Sequence, residues 1–145
     1  MGKVVLASGV FDLLHYGHLK FLEEAKRSGG EDAKLVVVVA RDKTVERMKG
    51  EPPIMPEGER RALVEALKVV DKAILGFEEF SMERVLQTVK PDIVALGYDQ
   101  GYLEKDVKKA AEKLGMKIEV VRIGKFGRRL SSSEIKRRIA RRFAK

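Results

Sequence analysis

The sequence predicts an α/β protein with a five-stranded parallel sheet and helices on both faces. Three observations carry that expectation. Leu35–Ala40 reads Leu-Val-Val-Val-Val-Ala, a nearly continuous aliphatic run that suits a strand buried on both faces. Four other strand-like runs are separated by segments of helical periodicity, the alternation that builds parallel sheets. The chain has 145 residues and shows no internal repeat, low-complexity stretch or linker, so residues 1–145 are expected to form a single domain.

The elements follow in order. Lys3–Ser8 is the first strand. Leu19, Leu22 and Ala25 mark one face of a helix that Gly29-Gly30 ends, glycine being the residue that most readily turns a chain out of a helix. Leu35–Ala40 is the second strand, and Lys49–Pro56 is a loop with three prolines. Pro56-Glu57 opens a helix marked by Leu63, Leu67 and Val70, and Lys72–Leu75 is the third strand. Met82, Val85, Leu86 and Val89 mark the next helix, stopped by Pro91, because the residue before a proline is pushed out of the helical region. Asp92–Leu96 is the fourth strand. Val107, Ala110, Ala111 and Leu114 mark a helix ended by Gly115, and Lys117–Val121 is the fifth strand. The last helix starts at Ser131, with Ser131 and Glu134 at capping-box spacing and Ile135, Ile139 and Phe143 as an apolar stripe for packing on the sheet. Right-handed crossovers give a Rossmann-like arrangement. Ligands then bind beyond the carboxyl ends of the strands, where the strand order reverses.

Composition excludes several chemistries. Hydrophobic residues make up 44% and charged residues 36%, a balance that folds rather than remaining disordered. The absence of cysteine removes disulfides, thiolate zinc sites and cysteine nucleophiles. No apolar run approaches the roughly 20 residues of a membrane span. Met1-Gly2-Lys3-Val4 leads straight into a strand with no signal-peptide pattern, and a cytoplasmic location is expected. Asparagine is absent and only Gln87 and Gln100 represent glutamine, a pattern common in thermophile proteins. The net charge of +8 lies entirely in residues 125–145, where nine Lys and Arg face only Glu134; residues 1–124 are balanced. Such a segment is a solvated basic helix, a cover for a polyphosphate or a nucleic-acid contact.

The residues with the most chemistry follow the first strand, in Gly9-Val10-Phe11-Asp12-Leu13-Leu14-His15-Tyr16-Gly17-His18. His15 and His18 are the only two histidines in the chain. Gly9 and Gly17 let backbone approach a ligand closely. A helix start offers free N–H groups and partial positive charge, and two imidazoles add donors to the same anion. A metal pair completed by Asp12 is the weaker alternative, since no third His or Cys is present.

Gly9–Asp12 with His15–His18 resembles the signature of the cytidylyltransferase-like nucleotidyltransferases, a superfamily that shares its His-x-Gly-His element with class I aminoacyl-tRNA synthetases. The resemblance covers essentially the whole chain. It is closest to archaeal FAD synthases through Val39–Val45, Lys49-Gly50, Pro53–Glu57, Glu65–Lys68, Val70–Gly76, Lys90–Ile93 and Gly97–Gln100. It implies transfer of a nucleoside monophosphate. An acceptor phosphate attacks the α-phosphate of a nucleoside triphosphate, pyrophosphate leaves, and no covalent enzyme intermediate forms.

By the same resemblance His15 and His18 bind triphosphate oxygens and stabilise the transition state. Gly9, Val10, Phe11, Asp12, Tyr16 and Gly17 form the nucleotide-binding loop, and a divalent cation, Mg²⁺, bridges the phosphates with few protein ligands. Asp99 contacts ribose or base. Tyr98 stands where cytidylyltransferases carry the first aspartate of Gly-Asp-Asp, which favours ATP over CTP. The family's arginine-then-serine element corresponds to Arg122–Ser133, with Ser131 and Ser132 at an anion-binding helix start. Arg122 lies nine residues before Ser131, against about five in glycerol-3-phosphate cytidylyltransferases, which leaves Arg122 and Arg128 both open as the phosphate clamp. Lys49, Arg60 and Arg61 are candidates for acceptor or lid contacts.

The expectation is an adenylyltransferase that joins ATP and FMN into FAD, with no nucleic-acid or membrane partner; analogy suggests a homodimer. A cytidylyltransferase for glycerol 3-phosphate or a similar phosphorylated alcohol is the alternative. A nucleic-acid module built on the basic tail is a third reading, but it leaves the histidines unexplained and lacks aromatic residues for stacking.

Overall fold

The computed structural model describes residues 2–124 and 131–144. Its elements are β1 (Val4–Gly9), α1 (Tyr16–Arg27), β2 (Lys34–Val39), α2 (Asp42–Lys49), α3 (Glu57–Glu65), β3 (Lys72–Leu75), α4 (Met82–Val89), β4 (Ile93–Leu96), α5 (Leu103–Leu114), β5 (Glu119–Arg122) and α6 (Ser132–Phe143). All strand pairs are parallel, in the order β3-β2-β1-β4-β5. The chain moves outward from β1 to β3, then returns to place β4 on the other flank. The gap between β1 and β4 is therefore the reversal point at which α/β sheets bind ligands.

Strand alternation divides the interior into two cores. Val5, Ala7, Val37, Val39, Ile93 and Ala95 face α1 and α3, where Leu22, Ala25 and Val64 meet them. Leu6, Val38, Val94 and Leu96 face α4 and α5, against Val85, Leu86, Val107, Ala110 and Ala111. Every residue of β4 is buried, which explains why these strands read as continuous aliphatic runs. Each fully buried aliphatic side chain contributes about 1.5–3 kcal/mol. α4 ends on Lys90 as a left-handed cap, at φ 52°, with its N–H bonded to the Leu86 carbonyl, and Pro91 follows where the helix stops.

One helix is added and two expectations change. Asp42–Lys49 is a helix, although only Val45 among its residues is buried. It is held by Glu57, whose carboxylate accepts from the Asp42 N–H at 2.8 Å and pairs with Arg41 at 3.3 Å. α3 stops at Glu65, and its inward face is Arg60 and Val64 rather than Leu63, which is 42% exposed. Leu67 and Val70 follow the helix and still pack against the core. The apolar stripe of α6 does not pack on the sheet: Ile139 is half exposed and Phe143 is 75% exposed. Arginines flanking the stripe gather on Glu134 instead, from Arg137, Arg138 and Arg141.

Candidate active site

A cleft of about 840 Å³ lies over the carboxyl ends of the strands. Its floor is the loop after β1. Phe11 and Leu13 adopt φ 55° and 49°, left-handed conformations that cost roughly 1 kcal/mol or more for residues with side chains. The Phe11 ring folds back under the loop and is buried; a Cβ on Gly9 would stand 3.0 Å from it, so Gly9 makes room for that packing.

Asp12, between the two strained residues, is 3% exposed. Its carboxylate accepts the Ile54 and Met55 N–H groups at 2.8 and 3.0 Å and pairs with Lys136 at 3.3 Å. Its carbonyl accepts from the Ser132 hydroxyl. Asp12 therefore ties together the histidine loop, the proline loop and the start of α6. Burial works to raise its pKa, but the two amides and Lys136 outweigh this and hold it below the usual carboxylate range.

Arg60 anchors the same loops from beneath. It is fully buried, donating to the carbonyls of Met55, Val10 and Ala40 at 2.7–2.8 Å and to Asp42 at 2.6 Å. Expected at the acceptor or lid, it instead supports the floor, because its planar fork makes four hydrogen bonds to groups inside the protein. Arg61 also stays outside the cleft, donating to the Ala73 carbonyl at 3.2 Å and pairing with Glu65 at 3.1 Å.

The histidines close the start of α1. His15 is the cap residue, and its Nδ1 accepts the Gly17 N–H at 3.0 Å; His18 Nδ1 accepts the His15 N–H at 3.1 Å. The arrangement is a capping box in which imidazoles replace the usual hydroxyl and carboxylate. The rings stack at 3.9 Å between centroids, and Phe11 lies 5.4 Å from His18. A neutral imidazole whose Nδ1 accepts carries its proton on Nε2. Each ring thus keeps one N–H donor, at Nε2, besides the Nδ1 acceptor that caps the helix, and both line the cleft. Burial lowers the pKa of His15. Burial, assisted by the neighbouring His15 and Lys49 and opposed by Asp12, pushes His18 down to about 4. Both rings are neutral near pH 7 and act there as uncharged donors beside the free amides of a helix start, an arrangement suited to phosphate oxygens.

Gly9, Val10, Gly17, Lys49, Asp99, Ser131 and Ser132 also line the cleft. Ser131 caps α6 by accepting the Glu134 N–H at 3.1 Å. Tyr16 turns outward, with the Lys20 ammonium 5.6 Å from its ring. Arg122 pairs with Glu104 of α5 at 3.0 Å and lies against Gly101, outside the cleft. Arg128 falls outside the described residues. Gln100 is a site residue that the sequence reading misses. Its side chain accepts the Gly97 N–H and donates to the Ser8 carbonyl, both at 2.9 Å, and so joins the ends of β1 and β4 at the reversal point. Its position four residues after the last strand residue, where ligands bind, was the available signal.

Among the described residues no three or more His, Asp or Glu side chains stand together as a metal cage, and the Asp12 carboxylate is already engaged. The donor set fits a cation carried by phosphate oxygens and water, with Asp99 as an available carboxylate, rather than one gripped by the protein. No helix among the described residues is long and apolar enough to cross a membrane.

The sheet order and the capped histidine pair define a nucleotidyltransferase of the cytidylyltransferase-like family, to which the chain belongs: that family's profile matches residues 6–138. Among its relatives is the FAD synthase of Methanopyrus kandleri, 55% identical over 94% of this chain and 89% of its own. The FAD synthase of Thermoplasma volcanium is 49% identical over 93% of this chain and 92% of its own. Of solved structures, the lipopolysaccharide core biosynthesis protein of Thermoplasma volcanium is similar with a TM-score of 0.78 and 46% identity, covering 88% of this chain and 100% of that one. Pantothenate synthetase from Thermus thermophilus, at 19% identity and a TM-score of 0.61 over 92% of this chain and 61% of its own, shares the fold.

Proposed function

We propose that the protein is a cytoplasmic FMN adenylyltransferase, an FAD synthase, that joins AMP from ATP to FMN. The observation that carries the reading is the neutral, stacked histidine pair at the start of α1, in a chain about half identical to several FAD synthases along most of its length. A phosphate oxygen of FMN attacks the α-phosphorus of ATP. The bond from that phosphorus to the oxygen bridging toward the β-phosphate breaks, and pyrophosphate leaves.

His15 and His18 direct their Nε2–H groups at the triphosphate oxygens where charge builds. Because these donors are fixed in advance by the cap, they need no reorganisation during the reaction. Neither ring has to gain or lose a proton. Gly9, Val10, Phe11, Gly17 and the α1 amides approach the nucleotide with backbone, and Ser131 and Ser132 offer a second helix start to the phosphates. Asp99 reaches the ribose or base. Lys49, close enough for its charge to depress His18, is placed for a phosphate oxygen of either substrate. Arg122 would have to leave Glu104 to clamp the β- and γ-phosphates, and Arg128 remains the other candidate for that role. A divalent cation, Mg²⁺, carried by the triphosphate with Asp99 as the carboxylate beside it, would supply neutralisation of the phosphate charge.

Purified protein with ATP, FMN and Mg²⁺ should yield FAD and pyrophosphate, followed by chromatography. His18→Asn keeps an acceptor near the position of Nδ1 and removes the Nε2 donor. It should lower kcat by about 10²–10³ with a nearly unchanged unfolding midpoint. FMN left unconverted by the wild type would defeat the reading.

A further inference from the structure

The cleft extends past the histidines to a second lobe on the α4 and α5 side of the sheet. Its floor is aliphatic, made by Val38 at the end of β2, Val85 of α4 and Leu103 at the start of α5, all buried. Its rim is aromatic: Phe77 and Phe80 come from the segment between β3 and α4, and Tyr102 immediately precedes α5. Phe80 is 57% and Tyr102 60% exposed, in a protein with only nine Phe and Tyr residues. Large rings left in solvent beside an apolar floor mark a binding surface.

The segment carrying Phe77 and Phe80 has no regular structure but is pinned from α2 and its leading turn. Arg41 donates to the Gly76 carbonyl and Arg47 to the Glu78 carbonyl, both at 2.6 Å. The Arg84 guanidinium lies 4.2 Å from the centre of the Phe77 ring. These arginines, which would otherwise make the lobe a phosphate site, hold its wall in place. Apolar floor, aromatic rim and engaged cations together specify a broad, flat, uncharged ring as the occupant. A small phosphorylated alcohol has no group to fill this lobe. The lobe spans both flanks of β1, since Val38 lies in β2 and Phe77 and Phe80 follow β3, whereas Tyr102 and Leu103 follow β4.

We propose that this lobe is the isoalloxazine subsite, with Phe80 and Tyr102 as the residues that select a flavin acceptor. The inference rests on the FMN adenylyltransferase reading and specifies where the acceptor's ring is held. The ribityl chain then leads the phosphate back toward His15 and His18.

The test is steady-state FAD formation by the wild type, Phe80→Ala, Tyr102→Ala and the double variant, with ATP and FMN varied separately. Loss of a stacked aromatic partner should raise the KM for FMN roughly tenfold in each single variant, with kcat at saturating FMN and the KM for ATP within about twofold. Phe80→Tyr and Tyr102→Phe should restore the KM for FMN. Wild-type turnover combined with an unchanged KM for FMN in the double variant overturns the subsite and leaves the function standing. A rise in the KM for ATP instead would assign the lobe to adenine and also overturn it. A wild type that forms no FAD would overturn the underlying reaction, and this subsite with it.

Discussion

Arg60 is the residue on which the loops of the cleft converge. Its guanidinium satisfies three carbonyls and one carboxylate at once, and no buried side-chain nitrogen or oxygen is left without a partner among the described residues. Arg60→Met should therefore cost about 2–4 kcal/mol, because it strands three part-buried carbonyls and removes the partner of the partly exposed Asp42. The urea midpoint checks this, and a loss below about 1 kcal/mol would contradict it. The role is hidden in the sequence for a physical reason. An arginine on a helix is ordinarily solvated, so periodicity assigns the inward face of α3 to Leu63, and a buried cation exchanges the two sides of the pattern. Arg41 and Arg47 are similar: their partners are main-chain carbonyls 35 and 31 residues away, and no side-chain pattern announces a carbonyl.

At the scale of elements, α1 and α6 show what periodicity conveys and omits. The cap of α1 consists of imidazoles that must remain unprotonated on Nδ1, so the helix start is sensitive to acid. His18 has a pKa of about 4 in the folded protein against an ordinary value of 6.5. Between those values the unfolded chain takes up a proton that the folded chain refuses, so stability falls as pH drops from 6.5 toward 4 and this contribution levels off below that. The loss from His18 is on the order of 3 kcal/mol, and the lowered His15 acts in the same direction. Thermal unfolding across that range should show a shallower decline for His18→Asn than for the wild type.

In α6 the apolar stripe was legible but its burial was not, since periodicity shows that a face exists without showing what covers it. The helix is fastened at its start, through Ser132 and Lys136 to Asp12. Ending the chain after Arg138 should change stability by less than about 1 kcal/mol, whereas ending it before Ser131 removes both fastenings and should cost more. Denaturant midpoints of the two truncations decide this. The short helix α2 escapes notice because a helix with one buried residue leaves almost no apolar period to read.

For the whole molecule, the parallel sheet was legible because burial on both faces writes strands as aliphatic runs, and the histidine pair because two rare residues share one helix start. The aromatic lobe was less accessible. Phe80 and Tyr102 are 22 positions apart, and only the strand order brings them to one rim. The reach of Arg122 toward Glu104 likewise depends on α5 lying beside β5, a neighbour relation that the linear pattern does not contain.

The direction of the central strand also has a practical consequence. β1 climbs six residues from Val4 to Gly9, at about 3.3 Å per residue, before the chain enters the histidine loop. An affinity handle or surface tether grafted ahead of Val4 therefore stands roughly 20 Å from the imidazoles and leaves the mouth open to solvent. The same graft after α6 hangs from a helix whose first turn rests on that loop, so immobilisation should be made through the leading end.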